Sequence, residues 1–377
     1  MSRVPSVQTA ASAALPTTTD GATPMKMSTS YRPVTLSLNG EVSDPTPKII
    51  ANLALNDLLG EGSQLQASSM LRDYEKERYL AAVYTKTLGT QGTLLHTGVT
   101  DYRDGEMQSG YLDGIYELTV QTRFDLGLTT PWVPSIGTRL ILDSGLYAVS
   151  YADTYQKVES GDEVKENQQV RALYTQLSLN QNTSKTSINA SLMLAQGMET
   201  AGASQDRSNN YGEAMTPGAA HLDFFRVPFD FGLRRRAILG GLGAAISMGG
   251  QYASDAVPVS ERVSFGGTRY GRAYQPGEVA GDEGLGGGVE INYSFSTPWR
   301  WLQQWEPYVL YETAETKNYD KELPEMTIHS SSLGMRFTDG RYYNLDIAAS
   351  RPTGDAPEWD PKRQIRWSLL FNYRLDV

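Results

Sequence analysis

The sequence predicts an all-β fold, an antiparallel transmembrane β-barrel, on three observations. Apolar and polar residues alternate with period two in segments of about ten residues. Connections alternate between short turns and longer polar stretches. Tryptophans gather where strands end, and an interfacial girdle wants amphipathic rings there.

Composition narrows the classes first. The chain has 377 residues, 33 of them basic and 43 acidic, for a net charge of −10. A nucleic-acid binder needs a basic footprint, so that class is excluded. No Cys is present, which removes disulfides, Cys–zinc sites and thiol nucleophiles. Only three His, His96, His221 and His329, are available for a metal or for acid–base work. No run of about 18 continuous apolar residues occurs, so no transmembrane helix is expected. Hydrophobic residues at 40 % and charged ones at 20 % argue against a disordered chain. Two classes remain. One is a soluble β protein; the other is an outer-membrane barrel, whose half-polar strands lower the mean hydropathy although it sits in lipid.

Residues 1–30, rich in Ser, Thr, Ala and Pro, read as a disordered or linker segment, and 31–377 as one barrel domain. No apolar segment precedes Ala11-Ser12-Ala13, so a signal peptide is not read there. From about residue 33, Leu36 and Leu38 alternate with Thr35, Ser37 and Asn39. Stretches 153–167 and 199–219 read as long polar loops. Between them, Ile188, Ala190, Leu192 and Leu194 alternate with Asn189, Ser191 and Met193. Residues 237–250 read as one strand with Ile238, Leu242, Ala244, Ile246 and Met248 on one face. Its other face is small, with Gly241, Gly243, Ala245 and Ser247, and lets an inserted segment approach the backbone.

Trp299, Trp301 and Trp305 surround one short turn, Trp132 lies in another, and 338–341 forms a third. The last strand is the clearest. Ile365, Trp367, Leu369, Phe371, Tyr373 and Leu375 occupy one face, and Arg366, Ser368, Leu370, Asn372 and Arg374 the other, mostly polar one. The same alternation describes a half-buried soluble strand, so the turns and the Trp positions are what favour lipid.

No P-loop, GxSxG, HExxH or EF-hand loop occurs. Gly284 to Gly288 reads as a Gly-rich strand start, because Val289, Ile291 and Tyr293 alternate after it. Asp282-Glu283 reads as solvated loop charge, and His329 as a strand-face residue. The chain is not expected to be an enzyme or to need a metal.

Residues 251–293 read as a strand, a polar loop carrying Arg269 and Arg272, and a returning strand. They contain Pro258-Val259-Ser260-Glu261, Gly266-Gly267, Gly271-Arg272-Ala273-Tyr274, Gly281-Asp282 and Val289-Glu290. This order resembles the sixth-loop region of the two-partner-secretion transporters (hemolysin-activator type) of the POTRA–barrel outer-membrane superfamily. Ala273 stands where that family carries Gly. Asn56 to Gly62 and Tyr84 to Gly92 resemble two early turns of the family, with Ser63 for its Asp and Thr87 for its Pro. Pro307 to Ala314 resembles its wall strand, with Glu312 and Ala314 where the family has Asp and Gly. The end, Asp376-Val377, departs from the usual aromatic assembly signal.

The resemblance covers about 33–377, the barrel portion only, since the roughly 30 residues ahead are too few for a POTRA module. It implies sixteen strands and a loop folded into the lumen. The loop-tip motif would be Gly266, Gly267, Gly271, Arg272, Tyr274, Gly281 and Asp282. If Val309 and Tyr311 face lipid, Glu312 faces inward, and Arg272 is expected to pair with it. The implied function is a protein-conducting outer-membrane transporter that secretes an unfolded exoprotein partner. Outer-membrane lipid and the barrel-assembly machinery are further implied partners, with no cofactor. The alternative is a passive porin-like or structural barrel, which needs no loop-tip Arg.

Overall fold

The computed structural model describes residues 7–13, 25–43, 47–71, 76–107, 114–132, 137–216, 218–320, 325–355 and 362–375. Among them, sixteen antiparallel strands close into a barrel. They are β1 (Val34–Ser43), β2 (Lys48–Asn56), β3 (Ser63–Met70), β4 (Glu77–Leu88), β5 (Thr93–Met107), β6 (Ile115–Pro131), β7 (Thr138–Lys157) and β8 (Glu163–Asn182). Then follow β9 (Thr186–Gly197, continued by Ser204–Asn209), β10 (Phe225–Leu239), β11 (Leu242–Ala253) and β12 (Glu283–Tyr293, continued by Phe295–Trp299). The last are β13 (Leu302–Lys317), β14 (Met326–Thr338), β15 (Tyr343–Pro352) and β16 (Arg366–Leu375). Each strand pairs with the next in sequence, and β16 closes on β1 through Leu369↔Val42 and Tyr373↔Leu38. Closure removes the exposed edge that an open sheet must protect. Separately, Val7–Ala13 pairs with Met25–Tyr31 in a two-stranded sheet. Residues 1–6 and 14–24 of the expected linker segment, and Asp376-Val377, lie outside the described residues.

Burial is inverted relative to a soluble protein. Leu192, Ile246, Val289, Ile291, Val309, Leu333, Ile365 and Trp367 are exposed on the outside. Glu290, Glu306, Glu312, Ser330, Ser332 and Arg366 are buried inside. The period-two alternation thus aims apolar residues at lipid and polar ones at the lumen, the pattern of an outer-membrane barrel. On β16, Trp367 and Tyr373 face out and Arg366 and Ser368 are buried, as the alternation requires. His329 also lies outside, its ring stacked 6.3 Å from that of Tyr311.

The two ends differ. Turns 57–62, 89–92, 240–241, 300–301 and 339–342 lie at one end, where the barrel's first and last residues also are. Connections 198–224 and 254–282 lie at the other. Exposed aromatics mark the short-turn end. Trp299 stacks on Trp301 at 5.3 Å, Phe295 on Trp305 at 4.1 Å, and Trp132 projects outward.

Three expected segments read differently in the fold. Stretch 153–167 is mostly strand: β7 and β8 run 20 residues each and turn at 158–162. Near the long-loop end both faces of these strands are polar, with Ser150 and Gln169 bonded at 2.7 Å opposite the inner Tyr151 and Asp153. The hydropathy signal of a strand is lost there although the ladder continues. Stretch 199–219 likewise contains Ser204–Asn209, paired to β8. Residues 237–250 are two strands, because the chain reverses at Gly240-Gly241, with Gly240 at φ 60°.

Candidate functional site

The site is the 254–282 connection, which folds into the lumen. It is built as a small hairpin of Val263–Phe265 against Val279–Gly281. Gly266 and Gly267 take φ values of 119° and 58°, a reversal that other residues rarely adopt. Two apolar clusters seat the loop. Val257 packs with Tyr147, Val149, Tyr151, Val170 and Ala172 of β7 and β8, and with Phe224. Val263, Phe265, Ala273, Tyr274 and Val279 pack against Ala314 of β13 and Ile328 of β14. The connection therefore bridges the lumen between two parts of the wall.

Small residues admit it. A Cβ at Gly286 would meet the Tyr270 ring at 2.6 Å, and one at Gly284 would meet Phe265 at 2.8 Å. On β11, a Cβ at Gly249 would meet Asp230 Oδ1 of β10 first, with Tyr270 Oη at 3.1 Å behind it. The smooth wall thus consists of Gly284 and Gly286 of β12. The Gly241, Gly243 and Ala245 set expected from sequence does not serve. A Cβ at Gly241 or Gly243 would strike β12 atoms or the Ser294 carbonyl, and no loop atom comes first.

Each motif residue has a partner. Glu261 is fully buried, 2.6 Å from Arg226 Nη2 of β10, and accepts from Tyr147 Oη at 2.7 Å. Asp282 is also fully buried and accepts the Val257 and Tyr319 N–H groups at 3.0 and 2.9 Å. It is a structural staple and not the solvated charge expected. Tyr274 is buried and donates from its hydroxyl to the Asp355 carbonyl at 2.7 Å. A Cβ at Gly271 would meet Ile328 Cδ1 at 2.7 Å and Gly266 Cα at 3.2 Å, so the tip lies close against β14. Gly281 lies equally close to the Lys317 carbonyl. Arg269 is half-exposed, 3.8 Å from Asp230.

Arg272 stands at the centre. Its backbone N–H donates to Glu312 Oε2 at 3.0 Å, and Arg366 Nη1 donates to its carbonyl at 2.9 Å. The adjacent Ala273 N–H donates to Ser330 Oγ at 3.1 Å. The guanidinium turns to Asp346 of β15, with Nη1 to Oδ1 at 3.3 Å and Nη2 to Oδ2 at 3.1 Å, a two-pronged pairing. Glu312 is thus a partner of Arg272 through the backbone, and the expected charge pair forms with Asp346. Glu312 lies ten positions from the short-turn start of β13. Residue 346 is only three positions from the short-turn start of β15, so the loop tip reaches deep into the lumen.

The pair belongs to a chain of charges. Tyr308 Oη donates to Asp346 Oδ1 at 2.6 Å. Arg336 Nε bonds Asp346 Oδ2 at 3.2 Å, and its Nη1 bonds Glu306 at 2.9 Å. Arg336 also bonds Glu290. Arg234 of β10 reaches Glu290 and Glu306, each at 3.1 Å. Arg234, Arg272 and Arg336 thus balance Glu290, Glu306 and Asp346. Buried charges of this kind are tolerated only when paired and hydrogen-bonded. Sequence reading found Glu290 and Glu312 but not Asp346, Arg336, Arg234 or Tyr308. A usable signal was present, since these are charged inner-face positions on otherwise alternating strands. Which of them meet across the lumen is decided only by closure.

No group of His, Asp and Glu that could hold a metal occurs among the described residues. No protein-family model and no curated protein matches the sequence. Solved structures do match. CdiB from Escherichia coli superposes with a TM-score of 0.71 at 18 % identity, over 97 % of this chain and 67 % of that one. CdiB from Acinetobacter baumannii gives 0.63 at 16 % identity, over 99 % and 66 %. BamA from Haemophilus ducreyi lacking POTRA domains 1–3 gives 0.60 at 13 % identity, over 97 % and 75 %. The chain spans about two thirds of the length of the CdiB chains. Its fold is that of these outer-membrane barrels.

Proposed function

We propose that the chain is the barrel of a two-partner-secretion transporter, which passes an unfolded exoprotein partner outward across the bacterial outer membrane. The observation that carries this reading is the 254–282 connection, held inside the lumen by Glu261, Arg272 and Asp282 on opposite parts of the wall. A passive porin gains nothing from a loop whose backbone and guanidinium are both gripped by buried carboxylates. The sequence order of the loop motif and the barrel similarity point the same way. Transit needs no cofactor, and the barrel itself depends on the assembly machinery and on lipid.

The test is secretion. The chain is expressed with any large exported protein found encoded beside its gene, and the medium is assayed for that protein. Export that requires the barrel and falls with Arg272→Ala supports the reading. Rapid swelling of proteoliposomes in small sugars, with no export, would establish the porin alternative.

A further inference from the structure

We infer that the polypeptide contacts an uncharged amide groove on the inner faces of β16 and β1–β3. This deepens the transport reading and rests on it. The plug leaves that flank uncovered among the described residues. A cavity of about 470 Å³ lies there, faced by Ser37, Asn52, Gln64, Gln66, Ser68 and Asn372. A second cavity of about 840 Å³, beside Arg234, Glu306, Arg336 and Asp346, shares Asn372 with it. A charged vestibule near the short turns therefore opens onto a neutral groove.

The groove's polar groups form a ladder. Gln66 Nε2 donates to Gln64 Oε1, Gln64 Nε2 to Asn56 Oδ1, and Asn56 Nδ2 to the Arg32 carbonyl, each at 2.7 Å. Ser68 Oγ donates to Asn52 Oδ1 at 2.7 Å. Among the described residues, charge enters the lining only through Arg32 and Arg374, the latter paired in the strand ladder with Ser37. Arg32 and Arg374 border the cavity at the short-turn rim, and Glu41 and the Lys48–Glu77 pair lie toward the other end.

An extended chain offers one N–H and one C=O per residue, and these must stay bonded during passage. Amides and hydroxyls supply both donors and acceptors. Each such bond contributes only about 0.5–1.5 kcal/mol net, so contacts form and release as the chain slides. A charged wall would instead hold opposite charges and repel like ones, and passage requires binding weak enough to leave. The ligand class that fits is an extended polypeptide rich in uncharged polar residues.

The chain has no Cys, so single cysteines report without background. Gln66→Cys and, as control, Ala314→Cys behind the loop are labelled with a membrane-impermeant thiol reagent in planar bilayers. An unstructured Ser/Asn/Gly peptide is the probe, with Lys- and Glu-containing peptides of equal length for comparison. Gln66→Cys should react, the neutral peptide should slow its labelling several-fold, the charged peptides should slow it less, and Ala314→Cys should stay unreactive. Gln66→Lys and Gln66→Glu should shift the reversal potential in opposite directions. An unreactive Gln66→Cys, or equal protection by all three peptides, would overturn the groove. Export of an unfolded reporter while Gln66→Cys stays fully reactive would overturn the groove and leave transport standing. Protection by the neutral peptide with no reporter ever exported would sink the transport reading alone.

Discussion

The walls β12–β15 and β1–β3 obey one alternation, yet their inner faces are opposite in kind. The first carries Glu290, Glu306, Glu312, Arg336 and Asp346 and is covered or crossed by ion pairs. The second carries Asn and Gln amides and Ser hydroxyls beside Arg32 and Arg374, and a cavity lies over it among the described residues. Charge has been placed where a partner of fixed geometry exists. Leaving a carboxylate buried without one is far costlier than leaving an amide in water. The outer faces of both walls are alike, because lipid asks the same of each.

The contrast can be broken most severely by removing the plug. Deletion of 266–282 should turn the covered wall into an open one and raise single-channel conductance several-fold in planar bilayers. Unchanged conductance would mean that the loop does not obstruct the path.

Next comes the charge chain. Asp346→Ala leaves Arg272 and Arg336 short of one carboxylate, and breaking a buried pair costs about 3–5 kcal/mol. A double-mutant cycle of Arg272→Ala with Asp346→Ala should be strongly non-additive. The cycle with Glu312→Ala should be nearly additive, because Glu312 bonds the backbone N–H that alanine retains. Heat-modifiable gel mobility reads both, and the reverse ranking would restore Glu312 as the charge partner.

On the face the two walls share, Leu369→Arg should cost about 2–4 kcal/mol if near the bilayer midplane, by the same assay. An equal substitution on the inner face, Gln66→Arg, should cost much less, so equal penalties would contradict the assignment of faces.

The smallest effect concerns the turn that joins β14 to β15. Burial pushes the Asp339 carboxyl up, but the N–H groups of Tyr343, Arg341 and Tyr342 together hold it below the usual range. A lowered pKa stabilises the fold above the unfolded-state value, and that stability is lost as pH falls through the folded one. Asp339→Ala should therefore destabilise by about 1–3 kcal/mol at neutral pH. The difference from the parent should shrink in acid melts; a difference that persists below the folded pKa would rule out the carboxylate as its source.

By itself the sequence determined the outer surface and the strand count's plausibility. Ile365, Trp367 and Tyr373 must share a face whatever the rest of the chain does, because side chains alternate along a strand. It also carried Arg272 and the glycine reversal before it, since such motifs are local. Strand continuity failed where β7 and β8 leave the lipid and both faces become polar. The identity of partners was decided only by closure. Arg272 and Asp346 lie 74 residues apart, on a loop and a strand whose depths depend on the register of every pair between them. Alternation says that Glu312 and Asp346 both point inward; it cannot say which meets the guanidinium and which meets only the backbone. The smooth wall shows the same limit. Many glycines face inward, and only the packed loop distinguishes Gly284 and Gly286, where a Cβ would collide with it, from Gly243, where a Cβ would meet β12.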